Sequence, residues 1–539
     1  MPGWPVQIAT HPNFHPNRNV TLADLDGDGR LEIIRPSTDG RVYVFRYDGT
    51  ALPGWPRTVS GWGQISPVVA DLDGDGFLEI LVATRGITSG GSLHALDRGG
   101  NPLPGWPLTF SNNNVEAVVA EDLDGDGRLE VIATERAYPI GRAHVLRADG
   151  TPLPGWPLTL DHVPAFTPAV GDLDGDGRKE LVFGSYTSVY VTDAAGQVRA
   201  GWPVNVASTF NANVSYQSPA LADLDADGVL EIAMCLHQSG GGCYVFKADG
   251  TQLAGWPKLF GGWSYCPPTV ADLDGDGSLD VLAGRAGGTA AAPALYAWDR
   301  QGQLLPGFPY VTEGGAESPV TVANVDLDPE LEIFFGTSVM ANNQGFLHCI
   351  DAHGQIEPGF PLRTDGFTYL NGATIADVDG DGVLEIAALA NRDTTGTLYL
   401  WKLTGPTSPG RILWSCYHEG NLRTGLTASS DRLAVRGHAT PGGTLRLELQ
   451  GAVGNAMAAF LGAQPAVVPW PPAGILRLDP LSPIVFLYGG PLATDGRLLG
   501  TLPIPGVAAL RGLRLPIQGV EAGATVGLAL RQMQMVVVQ

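Results

Sequence analysis

Four acids recur at a nine-residue spacing that suits a hard cation. The pattern Asp-x-Asp-x-Asp-Gly-x-x-Glu/Asp starts at Asp24, Asp71, Asp122, Asp172, Asp223, Asp272 and Asp377, with Ala226 replacing one spacer glycine. A degenerate copy starts at Asn324. Calcium takes six to eight oxygens at about 2.3–2.6 Å. Carboxylates at positions 1, 3 and 5 of a tight loop can turn inward, and Gly at position 6 permits the bend. Position 7 offers its backbone carbonyl, and the acid at position 9 closes the cage. In the first loop these are Asp24, Asp26, Asp28, Arg30 and Glu32. The second supplies Asp71, Asp73, Asp75, Phe77 and Glu79, and the third Asp122, Asp124, Asp126, Arg128 and Glu130. The fourth has Asp172, Asp174, Asp176, Arg178 and Glu180, and the fifth Asp223, Asp225, Asp227, Val229 and Glu231. Asp272, Asp274, Asp276, Ser278 and Asp280 form the next, and Asp377, Asp379, Asp381, Val383 and Glu385 the last.

Seven such loops hold 28 of the chain's 55 acidic residues. Four carboxylates so close repel one another unless neutralised. Seven divalent ions would offset more than half of the net charge of −23. Magnesium suits the loops less, because it keeps its water and demands strict octahedral geometry. In the eighth copy Asn324, Asp326, Asp328 and Glu332 keep their oxygens, but Pro329 replaces the glycine and fixes φ near −65°. Metal is expected to bind there weakly or not at all. The Ala226 loop is expected to bind normally.

The elements that must position these loops repeat with them. Successive copies are 47, 51, 50, 51, 49, 52 and 53 residues apart, which is the spacing of propeller blades. Each unit has a short strand before the loop, such as ISPVVAD, and an apolar run after it, such as LEILVAT. An alternating strand ending in a turn follows, such as RVYVFRYDGT, and then a Gly-Trp-Pro or Gly-Phe-Pro element. That is four short strands per unit, with little helix expected. The glycines of the last element are Gly3, Gly54, Gly105, Gly155, Gly201, Gly255, Gly307 and Gly359. Proline places it on an outer edge strand, with the aromatic packed between blades. The spare copy at residues 3–5 precedes the first loop, so either Trp4's strand or the 411–418 strand should complete the last blade. The segment 411–426 is expected to finish the ring.

Other features set bounds. The negative charge argues against nucleic acid, and no apolar run is long enough for a membrane-spanning helix. The start, MPGWPVQIAT, has neither the basic nor the apolar region of a secretory signal, and does not show whether one was removed. The five cysteines lack a CxxC spacing, which disfavours structural zinc. Cys235 and Cys243 flank a glycine turn and could bridge a hairpin; the sequence leaves this open.

DLDGDGRLE, DLDGDGFLE and DVDGDGVLE on this period resemble the FG-GAP repeat propellers of integrin α-subunit heads and of many bacterial secreted proteins. The resemblance spans residues 1–426. It implies one calcium per loop, each loop joining the first two strands of its blade on one face of the disc. Integrin heads have seven blades and this chain has eight loop copies, so the bacterial secreted relatives are the closer analogue. The resemblance implies an extracellular or cell-surface location. It also implies a role as an adhesion, carbohydrate-binding or protein-binding scaffold, or as a component of surface structures.

The fold expected is all-β, an eight-bladed β-propeller over 1–426 with a small C-terminal β-sandwich over 427–539 for sorting, attachment or assembly. The apolar final strand MQMVVVQ could complete a neighbour's sheet, giving a homo-oligomer or filament. Loops opposite the acidic face are rich in aromatics and amides, which suits carbohydrate. Trp62, Phe210, Tyr216, Trp263, Tyr265, Phe367 and Tyr369 are the candidates; the alternative is that they plug the central channel. No GxSxG, HExxH or phosphate-binding glycine loop occurs, so binding and not catalysis is expected. His94, His144 and His348 share one strand slot and read as structural. The enzymatic alternative is a calcium-dependent polysaccharide lyase on the same propeller.

Overall fold

A computed structural model describes residues 1–403 apart from 13–17, 87–89, 111–113, 125, 165–166, 215–217, 277, 288–289, 327–329, 340–343 and 369. Beyond 403 it describes Ile412–Trp414 and the strands between Arg432 and Val537. Eight antiparallel sheets follow one another along the chain as the blades of a propeller. Blade 1 is Thr21–Ala23, Glu32–Pro36, Arg41–Phe45 and Arg57–Thr58, paired in that order. Every later blade repeats the plan, and blade 2 adds the short strand Trp62–Gly63. Among the described residues one five-residue helix, Val206–Phe210, breaks the all-β pattern.

The ring closes through the N-terminus. Val6–Ala9 is the outer strand of blade 8, pairing with Thr395–Lys402. The expectation that 411–426 finishes the ring is corrected: Ile412–Trp414 pairs with the inner strand of blade 7, Thr321–Ala323. The reason lies in the Gly-Trp-Pro element, which 411–418 lacks and residues 3–5 possess.

That element is the clamp between blades. Each outer strand begins just after its proline, at the rim, as in Arg57–Thr58 and Val204–Asn205. The preceding indole N–H donates to a carbonyl of the next blade. Trp4 reaches Tyr47 O at 2.7 Å, Trp55 Arg98 O at 3.1 Å and Trp106 Ala148 O at 2.8 Å. Trp156 reaches Ala194 O at 2.9 Å, Trp202 Ala248 O at 2.8 Å and Trp256 Arg300 O at 3.4 Å. Phe308 and Phe360 keep the packing without the bond. The glycine is needed for closeness as well as conformation: Gly201 has φ 89°, and a Cβ there would lie 1.9 Å from Asp249 O.

The core therefore lies between blades. Leu22, Ile33 and Phe45 of blade 1 pack with Ala387, Leu389 and Leu398 of blade 8 across the closing seam. A second set of links runs round the axis. Thr21, Thr269, Thr321 and Thr374 each donate their hydroxyl to the chain leading into the next blade, at 2.7–3.0 Å. The last of these, Thr374 to Val20 O, joins blade 8 to blade 1.

Among the C-terminal strands, Ala456–Gly462, Ile484–Pro491, Arg514–Gly523 and Gly527–Val537 form a four-stranded sheet. Arg432–Arg436, Thr444–Gln450 and Arg497–Pro503 form another of three. The last strand, considered above for exchange with a neighbour, pairs within the chain and lies at its sheet's edge. Cys235 and Cys243 face each other across blade 5 as free, buried thiols.

Two substitutions test the clamp. Trp202→Phe should cost about 1 kcal/mol, one hydrogen bond to a half-buried carbonyl. Gly201→Ala should lower the melting temperature further, because it adds a clash to an unfavourable φ. The reverse order would contradict this account.

Candidate metal centres

Each acidic loop connects the inner strand of a blade to the second, so all lie on one face. Within a loop, the acids at positions 1, 5 and 9 accept backbone N–H groups. The closing acid accepts the N–H of position 2 in all eight copies, at 2.6–3.0 Å, from Leu25 to Glu32 through Val325 to Glu332. The first Asp accepts the N–H of position 6, as in Asp71 to Gly76 at 3.1 Å and Asp172 to Gly177 at 2.8 Å. The position-5 Asp accepts the N–H of position 7, as in Asp75 to Phe77 at 2.8 Å and Asp276 to Ser278 at 2.6 Å. Arg30, Arg128, Arg178, Val229 and Val383 donate their N–H in the same way.

The remaining oxygens converge. Ligand atoms of positions 1, 3 and 9 lie within 4.8 Å of one another in Asp24/Asp26/Glu32, Asp71/Asp73/Glu79, Asp122/Asp124/Glu130, Asp172/Asp174/Glu180 and Asp223/Asp225/Glu231. Oxygens sharing one calcium ion at about 2.3–2.6 Å must lie within about 5 Å of each other. Asp71 Oδ1, Asp225 Oδ1 and Glu231 Oε1 are buried without a hydrogen-bond partner, although Glu231 is only 1% exposed. An orphaned buried carboxylate oxygen is costly unless a cation meets it. These clusters could hold metal ions, and their all-oxygen donors fit a hard cation. Part of the eighth copy, 327–329, lies outside the described residues, including the Asp328 and Pro329 readings.

Burial pushes the closing acids up from 4.5 to about 8 at Glu32 and Glu79, with the neighbouring Asp charges adding to it. The same causes bring Glu130, Glu180, Glu231 and Glu385 to about 7, and lift Asp280 from 3.8 to about 7. Basic side chains meet some loops. Arg46 lies 3.4 Å from Asp26, and Arg199 bonds Asp174 and lies 2.9 Å from Glu180. Lys247 lies 2.7 Å from Asp225, and Lys402 touches Asp379 at 2.7 Å and Glu385 at 3.2 Å.

The FG-GAP-like repeat profile matches residues 24–82, 122–183 and 172–234. Each match opens on the first Asp of a loop and includes its hairpin. FG-GAP-like repeats thus run through residues 24–82 and 122–234 of the propeller. No curated protein matches the chain. Solved structures similar to it include the V. cholerae biofilm matrix protein Bap1, at 14% identity and TM-score 0.38, covering 75% of this chain and 90% of that one. BBS1N, from a complex with ARL6DN, is 12% identical with TM-score 0.40, covering 66% and 97%. Chaetomium thermophilum Raptor is 13% identical with TM-score 0.34, covering 61% and 28%.

The face opposite the loops carries the aromatic candidates that fall among the described residues. Trp263 is 45% exposed, stacks on Tyr265 at 6.1 Å, and receives the His237 ring edge-on at 5.0 Å. Nearby, the Tyr186 hydroxyl meets Asn213 Nδ2 at 2.6 Å and Gln238 Nε2 at 3.3 Å. Trp62 lies 4.5 Å from the His11 ring, Phe210 turns onto Tyr244 of blade 5 at 5.0 Å, and Phe367 bridges to Asn391. Tyr216 and Tyr369 lie outside the described residues. Arg18, ahead of blade 1, donates to Tyr265 O ahead of blade 6 at 3.1 Å. A bond between such distant blades must cross the axis, so the channel mouth is spanned here.

Sequence reasoning missed Arg18, the loop-facing bases and the role of loop position 4. That position has positive φ throughout the described loops, with Gly27 at 77° and Gly380 at 76°; Ala226 takes 61° at its own expense. Ala226→Gly should therefore stabilise the protein by about 1 kcal/mol, read as a higher melting temperature. The raised closing acids set a pH dependence. Between about 4.5 and about 8 the folded ion-free chain keeps protons that the unfolded chain has released. Its stability should fall as pH rises through that window, and added divalent cation should abolish the slope. A flat melting profile in chelator from pH 5 to 8 would contradict it.

Proposed function

We propose that the protein is an extracellular calcium-loaded propeller that works by binding. The observation that supports this most is the set of convergent carboxylate oxygens, buried and unmet by protein donors in Asp71, Asp225 and Glu231. Calcium is the hard divalent ion whose coordination such loops suit. The residues that would hold it are those at positions 1, 3, 5 and 9 of the seven intact loops, with the position-7 carbonyls. A bound ion would neutralise each loop and stiffen the hairpin that carries its blade.

The opposite face is the ligand surface in this reading, and carbohydrate is the favoured class. Trp263 offers an open aromatic face, and Tyr186, Asn213 and Gln238 offer hydroxyl and amide groups beside it. Gln238 holds this position from a tight turn, with φ 72° and its carbonyl accepting the Gly241 N–H at 2.8 Å. A lyase would need a base open to substrate. His237 is fully buried against Trp263 and Tyr265, which favours binding over catalysis. A surface role is compatible with the absence, among the described residues, of any helix long and apolar enough to cross a membrane.

A glycan array probed with the calcium-loaded protein tests this. Binding to a sugar class is expected, and Trp263→Ala should weaken it about tenfold, ~1.4 kcal/mol, without changing the melting temperature. Failure to bind any glycan would remove carbohydrate as the ligand. Release of unsaturated uronides from pectic substrates would overturn the non-catalytic reading.

A further inference from the structure

One ladder position divides the loops by charge. The residue just after the third strand stands beside the closing acid: Phe45 pairs with Ile33, so Arg46 follows opposite Glu32, and Lys402 pairs directly with Glu385. This position is Arg46, Arg147, Lys247 and Lys402 in blades 1, 3, 5 and 8. It is Asp97, Asp193, Asp299 and Asp351 in blades 2, 4, 6 and 7.

The turn chemistry explains the division. In the second class the Asp caps its own turn, accepting the N–H four residues on: Asn101 at 2.8 Å, Gln197 at 2.8 Å, Gln303 at 2.7 Å and Gln355 at 2.7 Å. In blades 1, 3 and 5 the cap moves two residues along, to Asp48, Asp149 and Asp249, which accept from Thr50, Thr151 and Thr251. The vacated position then takes a base that can reach the loop.

Lys402 goes furthest. Its ammonium contacts Asp379 at 2.7 Å, Asp381 at 2.5 Å and Glu385 at 3.2 Å, which are positions 3, 5 and 9. Lys247 contacts Asp225 and Asp227 at 2.7 and 3.6 Å, positions 3 and 5. Arg147 instead donates to Pro152 O at 3.2 Å. In blade 4, Arg199 supplies a charge from the outer stretch. Blade 2 is the opposite extreme. Among the described residues no base pairs with Asp71, Asp73, Asp75 or Glu79, and the nearby Arg98 lies over the Phe77 ring at 3.8 Å.

We propose that Lys402 and Lys247 are built-in counter-cations that compete with calcium for their loops, so that the ring holds weak, displaceable sites in blades 8 and 5 and a tight one in blade 2. This rests on the calcium reading above and adds a regulation to it. An ammonium hydrogen-bonded to Asp379 and Asp381 and ion-paired with Glu385 must be displaced before a divalent ion gathers these carboxylates, whereas Asp97 adds attraction beside Glu79. Blade 8 is the blade that closes the ring, so the weakest site sits at the seam, where Lys402 keeps the charge neutralised when calcium is scarce.

The test is calcium titration of the full chain by calorimetry, with melting temperature followed in parallel. Wild type should show at least two affinity classes. Lys402→Gln should strengthen one weak site tenfold or more and lower the melting temperature in chelator, where the ammonium neutralises the loop. Asp97→Lys should do the reverse to one tight site, and it keeps the proposal open to refutation if the first variant folds poorly. Unchanged affinities in both variants, with calcium still binding, would overturn the competition. No calcium binding by wild type at millimolar concentration would overturn the underlying reading instead.

Discussion

The hydrogen bond from the position-2 N–H to the closing acid is the constraint on which the rest depends. It draws a carboxylate into the first hairpin of every blade, from Glu32 to Glu385, and buries it almost completely. Once there, the acid is desolvated beside three aspartates and must be neutralised. A proton can do it, as the upward shift of Glu32 and Glu79 shows. An ammonium can do it, as Lys402 does. A divalent cation can do it for the whole loop at once.

The ring supplies the other half of the stability. Apolar strands pack blade on blade, and the tryptophan bonds and threonine links add direction to that packing. The loops and the clamps sit on the same repeating unit but at opposite edges of it, axis and rim. The charge problem near the axis is thus solved loop by loop, while the rim is held by the tryptophan clamps.

Much of this is legible in the sequence because both devices are local. Asp24–Glu32 fixes its own geometry within nine residues, and Gly-Trp-Pro announces an outer strand wherever it occurs. The closing strand was not settled there: residues 3–5 carry the motif, yet 411–418 stayed a candidate until strand pairing set Val6–Ala9 in blade 8. What escaped were relations between elements. Lys402 is unremarkable until strand pairing sets it beside Glu385, and Arg18 until folding brings the Tyr265 carbonyl across the axis. Ala226 looked like a neutral spacer because left-handed backbone is invisible in a residue name. Composition alone groups the aromatic candidates, and the fold separates them: Trp263 and Tyr265 stack together, while Phe210 turns onto blade 5.

The central claim is that the acidic loops gather their free oxygens round divalent ions. An anomalous diffraction experiment on crystals grown with calcium addresses it directly. The account predicts a density peak among the position 1, 3 and 9 carboxylates of the intact loops, strongest in blade 2. Loops filled only by water at saturating calcium would contradict it.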